Sequence, residues 1–465
     1  MAGAGSRFAS RLAEIVGPQW VMQEPHELYA YAYDATAKKA MPDWVCLPGS
    51  AEEVAAVLAV AGQYGVPVVP RGAGTNISGG TIPTCGGLVV ATNRMNRILE
   101  VRIEDAAATV QPGCPNVALQ DVLRPLGFFY APDPSSYRVS TLGGNVAENA
   151  GGPHCLKYGV TANHVRALQV ALGDGRLVRL GSVAPFAPGL DLVGLWVGSE
   201  GTLGMVTEIT VRILPLPRSV RTMLAVFDDL EQAMQTVSDI IAARVLPATL
   251  ELLDRGTIET VEPFVHAAYP TDAEAVLLIE VDGNPSAVAF ESEQVEQICR
   301  RAGVREFRAA HSDAEREALW LGRRAAYGAA ARLSAHVWTQ DVTVPRPRLA
   351  QMMRAVREIG RRYGVPIVLV AHAGDGNLHP LIPYDPHDPD QVARMRAADR
   401  EILEACVQMG GSISGEHGIG IDKVDKMGLM FTEAELDLMR RIKAVFDPGG
   451  RMNPGKAIPA PRGAI

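Results

Sequence analysis

No block of lysine and arginine offsets the net charge of −8, and aromatic residues make up only 6% of the 465 positions. Nucleic-acid binding needs a basic stripe for phosphates or aromatic faces for bases, so that class is excluded as a reading. The six cysteines (Cys46, Cys85, Cys114, Cys155, Cys299, Cys406) form no C-x-x-C pair, so the chain encodes neither an iron–sulfur cluster nor a cysteine-rich zinc module. Scattered thiols of this kind fit a reduced, cytoplasmic setting. No apolar run approaches the roughly 20 residues that cross a bilayer, and Met1–Val16 has Arg7 and Arg11 but no continuous apolar core of the secretory type. Any membrane association is therefore expected to be indirect, through partners. Also missing is the Gly-Lys-Ser/Thr that closes a Walker loop.

What is present is an ordinary globular composition, 47% hydrophobic and 21% charged, long enough for two or three domains. Its most informative stretch is Pro70-Arg71-Gly72-Ala73-Gly74-Thr75-Asn76-Ile77-Ser78-Gly79-Gly80, directly after a strand-like run. Such a sequence turns easily through positive φ and presents a row of N–H groups to an anion. It cannot open a helix, because Gly79-Gly80-Thr81-Ile82-Pro83 follows.

In chain order, Phe8–Val16 reads as a short amphipathic helix and Val45–Pro48 as a strand. Ser50-Ala51-Glu52-Glu53 has the form of a capping box for a helix ending at Gly65. Short β-type runs at 87–92, 98–104 and 107–111 precede a helix at 117–126, and Gly173-Asp174-Gly175 marks a hairpin between 167–172 and 177–180. A second glycine cluster covers Ser140, Thr141, Gly144, Asn145, Asn149 and Gly151, preceded by Pro132-Asp133-Pro134. A third covers Gly198, Glu200, Gly201 and Gly204 and leads into a strand that begins at Val206. Three such clusters in one half point to a long, phosphate-bearing ligand, a dinucleotide, approached closely by backbone at several points.

Beyond Pro215-Leu216-Pro217 strands (222–227, 248–253, 275–281, 304–309) interleave with helices (230–243, 287–302, 313–333). The expected class is α+β, with domains at 1–217 and 218–425 and a helical C-terminal segment at 426–465. In the second half, His372 and His379 flank Gly374-Asp375-Gly376. On one straight strand they would face opposite ways, whereas a hairpin brings the imidazoles together near its tip. Glu416-His417 lies in a second glycine frame. Two His and a carboxylate form a three-ligand set with open positions for Zn²⁺ or Mn²⁺. A zinc-dependent hydrolase remains as an alternative at this point.

The first-half motifs resemble the FAD-binding domain of the vanillyl-alcohol oxidase/p-cresol methylhydroxylase superfamily. With Trp320-Leu321-Gly322-Arg323, the His372/His379 pair, Gly415-Glu416-His417-Gly418 and Asn453-Pro454-Gly455-Lys456, the chain resembles that superfamily's FAD-linked D-2-hydroxyacid dehydrogenase branch, closest to the glycolate oxidase flavin subunits. The resemblance implies FAD held by Arg71 to Ser78, by the second and third clusters and by Asn453, and a ferredoxin-like substrate domain. It implies metal ligation by His372, His379 and Glu416, His417 as the base and Arg323 as the holder of the substrate carboxylate. Members with covalent flavin often have His where Thr75 stands, so non-covalent FAD is expected; His154 reads as a hydrogen-bonding or solvated loop residue rather than a site of flavin attachment. The strand just before Asp341, where hydroxyglutarate-oxidising relatives tend to carry Lys, reads Val337-Trp338-Thr339-Gln340 here, which favours glycolate or D-lactate, with a hydroxyglutarate-type dehydrogenase and a non-catalytic flavin-bearing subunit kept as alternatives. An iron–sulfur partner subunit is implied as the electron acceptor, within an oligomer or heteromeric complex.

Overall fold

A computed structural model describes residues 2–184 and 188–461. Met1, where the N-terminal reading begins, lies outside them. The chain divides into two compact units: Met1–Gly152 with Val160–Leu216 and Glu416–Ile465, and Pro153–Gly159 with Pro217–Gly415.

Among the described residues the first unit contains two larger sheets and a two-stranded pairing of Leu214–Pro215 with Phe128–Phe129. In one, Trp44–Cys46, Leu88–Ala91 and Val68–Arg71 run parallel, with Val21–Met22 antiparallel at the edge. The helix Ala51–Tyr64 packs Val54, Val57, Leu58 and Ala61 onto Val68, Leu88 and Val90, together with Phe8 and Leu12 of the N-terminal helix. Its capping box is half formed: Ser50 accepts from the Glu53 amide at 3.2 Å, but the Glu53 carboxylate accepts from the Gly49 amide at 2.6 Å. The other sheet is antiparallel, in the order Ile98–Arg102, Ala107–Val110, Met205–Arg212, Val165–Ala171, Leu177–Gly181, and the last two strands are the expected hairpin. The helix Glu433–Phe446 ends near Met452, which bridges to Val68, and the Asn453 amide donates to the Val68 carbonyl at 2.7 Å.

One first-half expectation needs amending. The second glycine cluster is not all loop, because Leu142–Glu148 is helical, with Thr141 as its cap. Gly143 serves packing rather than turning: a Cβ there would stand 2.6 Å from Pro112 Cβ.

The second unit is built on an eight-stranded antiparallel sheet. Glu306–Ala309, Ser219–Phe227, Ala275–Gly283 and Thr249–Asp254 lie side by side in the 4-1-3-2 order of a ferredoxin-like sheet. The sheet continues through Val368–His372, Asn377–Tyr384 and His336–Thr339, with Val342–Thr343 also on Asn377–Tyr384. Three helices of this unit lay outside the sequence expectations: Arg255–Val265, Leu349–Tyr363 and Pro389–Gln408. Directly paired residues share a sheet face. Thr222 pairs with Glu280, Glu280 with Thr249, Glu251 with His372 and Val370 with His379, so one face carries both acids and both histidines. The helix Asp313–Ala330 covers that face, with Leu319, Trp320 and Ala326 in a core shared with Leu224, Leu253 and Leu278.

Candidate active site

In the first unit the three glycine clusters are linked by contacts that admit no side chain. A Cβ on Gly72 would meet Thr141 Oγ1 at 2.3 Å, and one on Gly201 would meet Pro70 Cγ at 3.0 Å. Gly74, at φ +73°, is backed by the Arg71 guanidinium, 2.1 Å from its ideal Cβ position. Arg71 therefore props the loop from beneath: Nη1 donates to Thr81 Oγ1 at 3.3 Å and the guanidinium lies 5.7 Å from the centre of the Tyr31 ring. Asn76 Oδ1 accepts from the amides of Ser78 and Gly80 at 2.9 and 2.7 Å, closing the loop on itself. Ala73 is exposed, Thr75 and Ile77 are partly so, and the buried Val206 packs in the core of the antiparallel sheet. The Pro132 carbonyl accepts from Asn116 Nδ2 at 2.9 Å, and Asn149 caps its helix at φ +53°.

Asn453 joins the clusters from the C-terminal side: Nδ2 donates to the carbonyls of Gly80 and Glu200 at 2.9 and 2.6 Å, and Oδ1 accepts from Lys456 at 2.9 Å. Burial pushes the Lys456 ammonium down to about 8, against the pull of Glu200 and Asp34. Ser140 Oγ and Asn145 Nδ2 are buried and make no hydrogen bond among the described residues. A buried polar atom without a partner is costly, and two of them beside backbone-lined glycine loops suit a polar dinucleotide.

In the second unit the Gly-Asp-Gly turn forms the expected hairpin, His372 pairing with Asn377. The two imidazoles meet edge to face, with ring centres 5.0 Å apart, and are 4% and 5% exposed. The turn glycines are sterically required: a Cβ on Gly376, at φ +81°, would lie 2.1 Å from the Val344 carbonyl, and one on Gly374 would lie 2.4 Å from Leu156. His372 Nδ1 is 2.6 Å from Glu251 Oε1, and Arg323 Nε donates to Glu251 Oε2 at 2.5 Å. Burial works to raise the Glu251 carboxyl, but Arg323 and His372 outweigh it and hold it below the usual carboxylate range. Asp341 Oδ1 is 3.9 Å from His379 Nδ1, and Asp341 Oδ2 accepts from Ser414 Oγ at 2.7 Å and the Gly415 amide at 2.8 Å. The chain leaves this unit at Gly415, so Glu416 and His417 open the closing segment of the first. There the two side chains are 3.9 Å apart and about 15% exposed.

Two buried acids were not singled out from the sequence. Glu251 is one. Glu280, the other, is held by Arg316 through a two-pronged pair at 2.8 and 2.9 Å, by Trp320 Nε1 at 3.1 Å and by His154 at 3.5 Å. The available signal was a lone glutamate inside an otherwise apolar strand, in Thr249-Leu250-Glu251-Leu252-Leu253 and in Leu277-Leu278-Ile279-Glu280-Val281. His154 is thus engaged as a hydrogen-bonding residue. Gln340 is fully buried and turned to Asp399, which also accepts from Trp338 at 2.8 Å.

Comparison with known proteins gives the chemistry of the first-unit cradle as flavin binding, and the chain as a flavin-dependent oxidoreductase. The family described as FAD linked oxidases, C-terminal domain, matches residues 216–457, and an FAD binding domain matches residues 42–181. The chain belongs to the FAD-linked oxidase family. It is 44% identical over 440 residues to the glycolate oxidase subunit GlcD of Escherichia coli (strain K12), covering 94% of this chain and 88% of that one. It is 42% identical to the subunit of the same name in Bacillus subtilis (strain 168), covering 96% and 95%. It is 32% identical to a D-lactate dehydrogenase of Anaerostipes hadrus, covering 95% of each. Among solved structures, p-cresol methylhydroxylase superposes with a TM-score of 0.83 over 99% of this chain and 98% of that one, at 16% identity, so the two share a fold.

Proposed function

We propose that this chain is a flavin oxidoreductase acting on a CH–OH group, which oxidises a small D-2-hydroxy acid, glycolate or D-lactate, to the 2-oxo acid. The observation that carries this reading is the Arg323–Glu251–His372 arrangement, a cation and an oriented imidazole bridged by one buried carboxylate. Arg323 holds the substrate carboxylate through its guanidinium fork, while its Nε stays anchored on Glu251. His417 removes the hydroxyl proton, a contribution of about a hundred- to ten-thousandfold. FAD, held non-covalently, supplies the acceptor for the hydride leaving C2.

The donor set fits a divalent cation. With Nδ1 of His372 engaged by Glu251, its Nε2 carries the lone pair, as in ligating histidines generally. On this reading His372, His379 and Glu416 hold Zn²⁺ or Mn²⁺, which acidifies the substrate hydroxyl. Electrons then pass to an iron–sulfur partner subunit, because the six cysteines form no cluster-binding motif. The strand just before Asp341, Val337-Trp338-Thr339-Gln340, offers no Lys for a second substrate carboxylate, which favours a monocarboxylate over hydroxyglutarate.

Anaerobic mixing of the FAD-loaded protein with D- and L-lactate, glycolate and D-2-hydroxyglutarate tests this. Bleaching of the flavin by glycolate or D-lactate, lost in His417→Ala, is expected; bleaching by none of the four would refute the reading.

A further inference from the structure

Glu200 sits at φ +52° and is 5% exposed, an unusual conformation for a side chain of its type. Its backbone is fixed on both sides, the amide donating to the Ala147 carbonyl at 2.8 Å and the carbonyl accepting from Asn453 Nδ2 at 2.6 Å. Oε1 accepts from the Ile419 amide and Oε2 from the Gly420 amide, each at 2.7 Å. These consecutive N–H groups lie in a turn with Gly418 at φ +85° and Gly420 at φ +52°, the kind of backbone concavity that binds anions. A protein carboxylate fills it here.

His417 immediately precedes this turn. Two glycines at positive φ give the segment little stiffness of its own, so something else must fix it. The Ser78 carbonyl takes the amides of Ile421 and Asp422 at 3.0 and 3.2 Å, which anchors the far end, and Glu200 anchors the near end. Glu148 completes the wall: a Cβ on Gly418 would be 2.4 Å from Glu148 Oε2 and 3.1 Å from Glu200 Oε1. Burial and the Glu200 charge push the Glu148 carboxyl well above the usual range, and burial also raises the Glu200 carboxyl, against the pull of the Ile419 and Gly420 amides.

We propose that Glu200 is a positioning residue, which sets the orientation of the His417 imidazole by clamping the Ile419 and Gly420 amides. The proposal rests on the reading of His417 as the base. Glu200→Gln keeps the shape but turns an NH₂ toward one amide N–H, opening half of the clamp.

The test is single-turnover flavin reduction by glycolate and D-lactate, in parental protein, Glu200→Gln, Gly418→Ala and His417→Ala, with FAD stoichiometry and thermal midpoint measured on each. Glu200→Gln is expected to reduce its flavin about 10- to 100-fold more slowly at saturating substrate, the cost of a small misplacement of a reacting group, with half-saturation and FAD content unchanged. Gly418→Ala, which displaces the turn from the other side, is expected to show the same pattern. Parental rates in Glu200→Gln overturn the proposal, as does FAD loss in Glu200→Gln combined with a parental rate in Gly418→Ala. A parental rate in His417→Ala overturns instead the assignment of the base, whatever Glu200 does.

Discussion

His372 Nδ1 and Glu251 Oε1 are 2.6 Å apart on adjacent strands of the second unit, and the glutamate is wholly buried. A hydrogen bond this well sheltered fixes both the tautomer and the plane of the imidazole. Glu251→Gln keeps an acceptor for Nδ1–H but removes the charge that also balances Arg323. With His372 ligating as proposed, the expected result is a loss of Zn²⁺ or Mn²⁺ affinity of about 10- to 100-fold. Metal-to-FAD ratios after equilibration against buffered free metal measure it, and an unchanged affinity would show that Glu251 does not orient a ligand.

The role proposed for Arg323 at the substrate carboxylate adds a second duty to its ion pair with Glu251, and one substitution can pull the two apart. Arg323→Lys retains a cation for Glu251, so the buried acid keeps its partner and the fold should hold. It forfeits the planar fork toward a substrate carboxylate. A fall of about a hundredfold in kcat/KM for the 2-hydroxy acid is expected, roughly 2.7 kcal/mol, with the thermal midpoint nearly unchanged. Parental kcat/KM in that variant would mean that the carboxylate is held elsewhere.

The hairpin behind these predictions was legible in the sequence because Gly374-Asp375-Gly376 is turn chemistry between two apolar runs, and histidine spacing around a hairpin leaves few arrangements. The helix Glu433–Phe446 was equally plain, with Thr432 and Glu435 forming a reciprocal capping box. Leu142–Glu148 was hidden for the opposite reason. Its glycines have poor helix propensity, and Gly143 is explained only by the tertiary contact with Pro112. Glu251 and Glu280 escaped notice because a strand residue's burial depends on which neighbours pair with it. Glu200 was grouped with the cofactor loops by its glycine surroundings, although its carboxylate serves the Ile419–Gly420 turn.

Glu280 gives a pH-dependent prediction. Burial acts to raise its carboxyl, but His154 and Arg316 more than reverse this, so the folded value lies below the ordinary 4.5. Between the two values the unfolded chain binds the extra proton, so stability rises with pH there. The contribution is fully present above about 4.5 and disappears as pH falls through the depressed folded value. Glu280→Gln, which leaves Arg316 without its counter-charge, should cost about 3 kcal/mol at pH 7 and distinctly less at pH 3. Denaturant midpoints at the two pH values check it, and an equal cost at both would remove the electrostatic explanation.

Gly74 and Gly127 make a matched pair for the flavin cradle. Both have positive φ, +73° and +77°, so an alanine at either meets similar backbone strain, about 1–2 kcal/mol. A Cβ on Gly127 finds open space, whereas one on Gly74 collides with Arg71 and must displace the guanidinium that supports the loop. Gly127→Ala should therefore lower the thermal midpoint while FAD binding stays parental. Gly74→Ala should weaken FAD binding by about 10- to 100-fold, since each tenfold corresponds to about 1.4 kcal/mol of lost loop geometry. Titration of the two apoproteins with FAD, followed by flavin fluorescence, separates the cases. Equal affinities would mean that the Pro70–Gly80 loop is not the part of the fold that grips the cofactor.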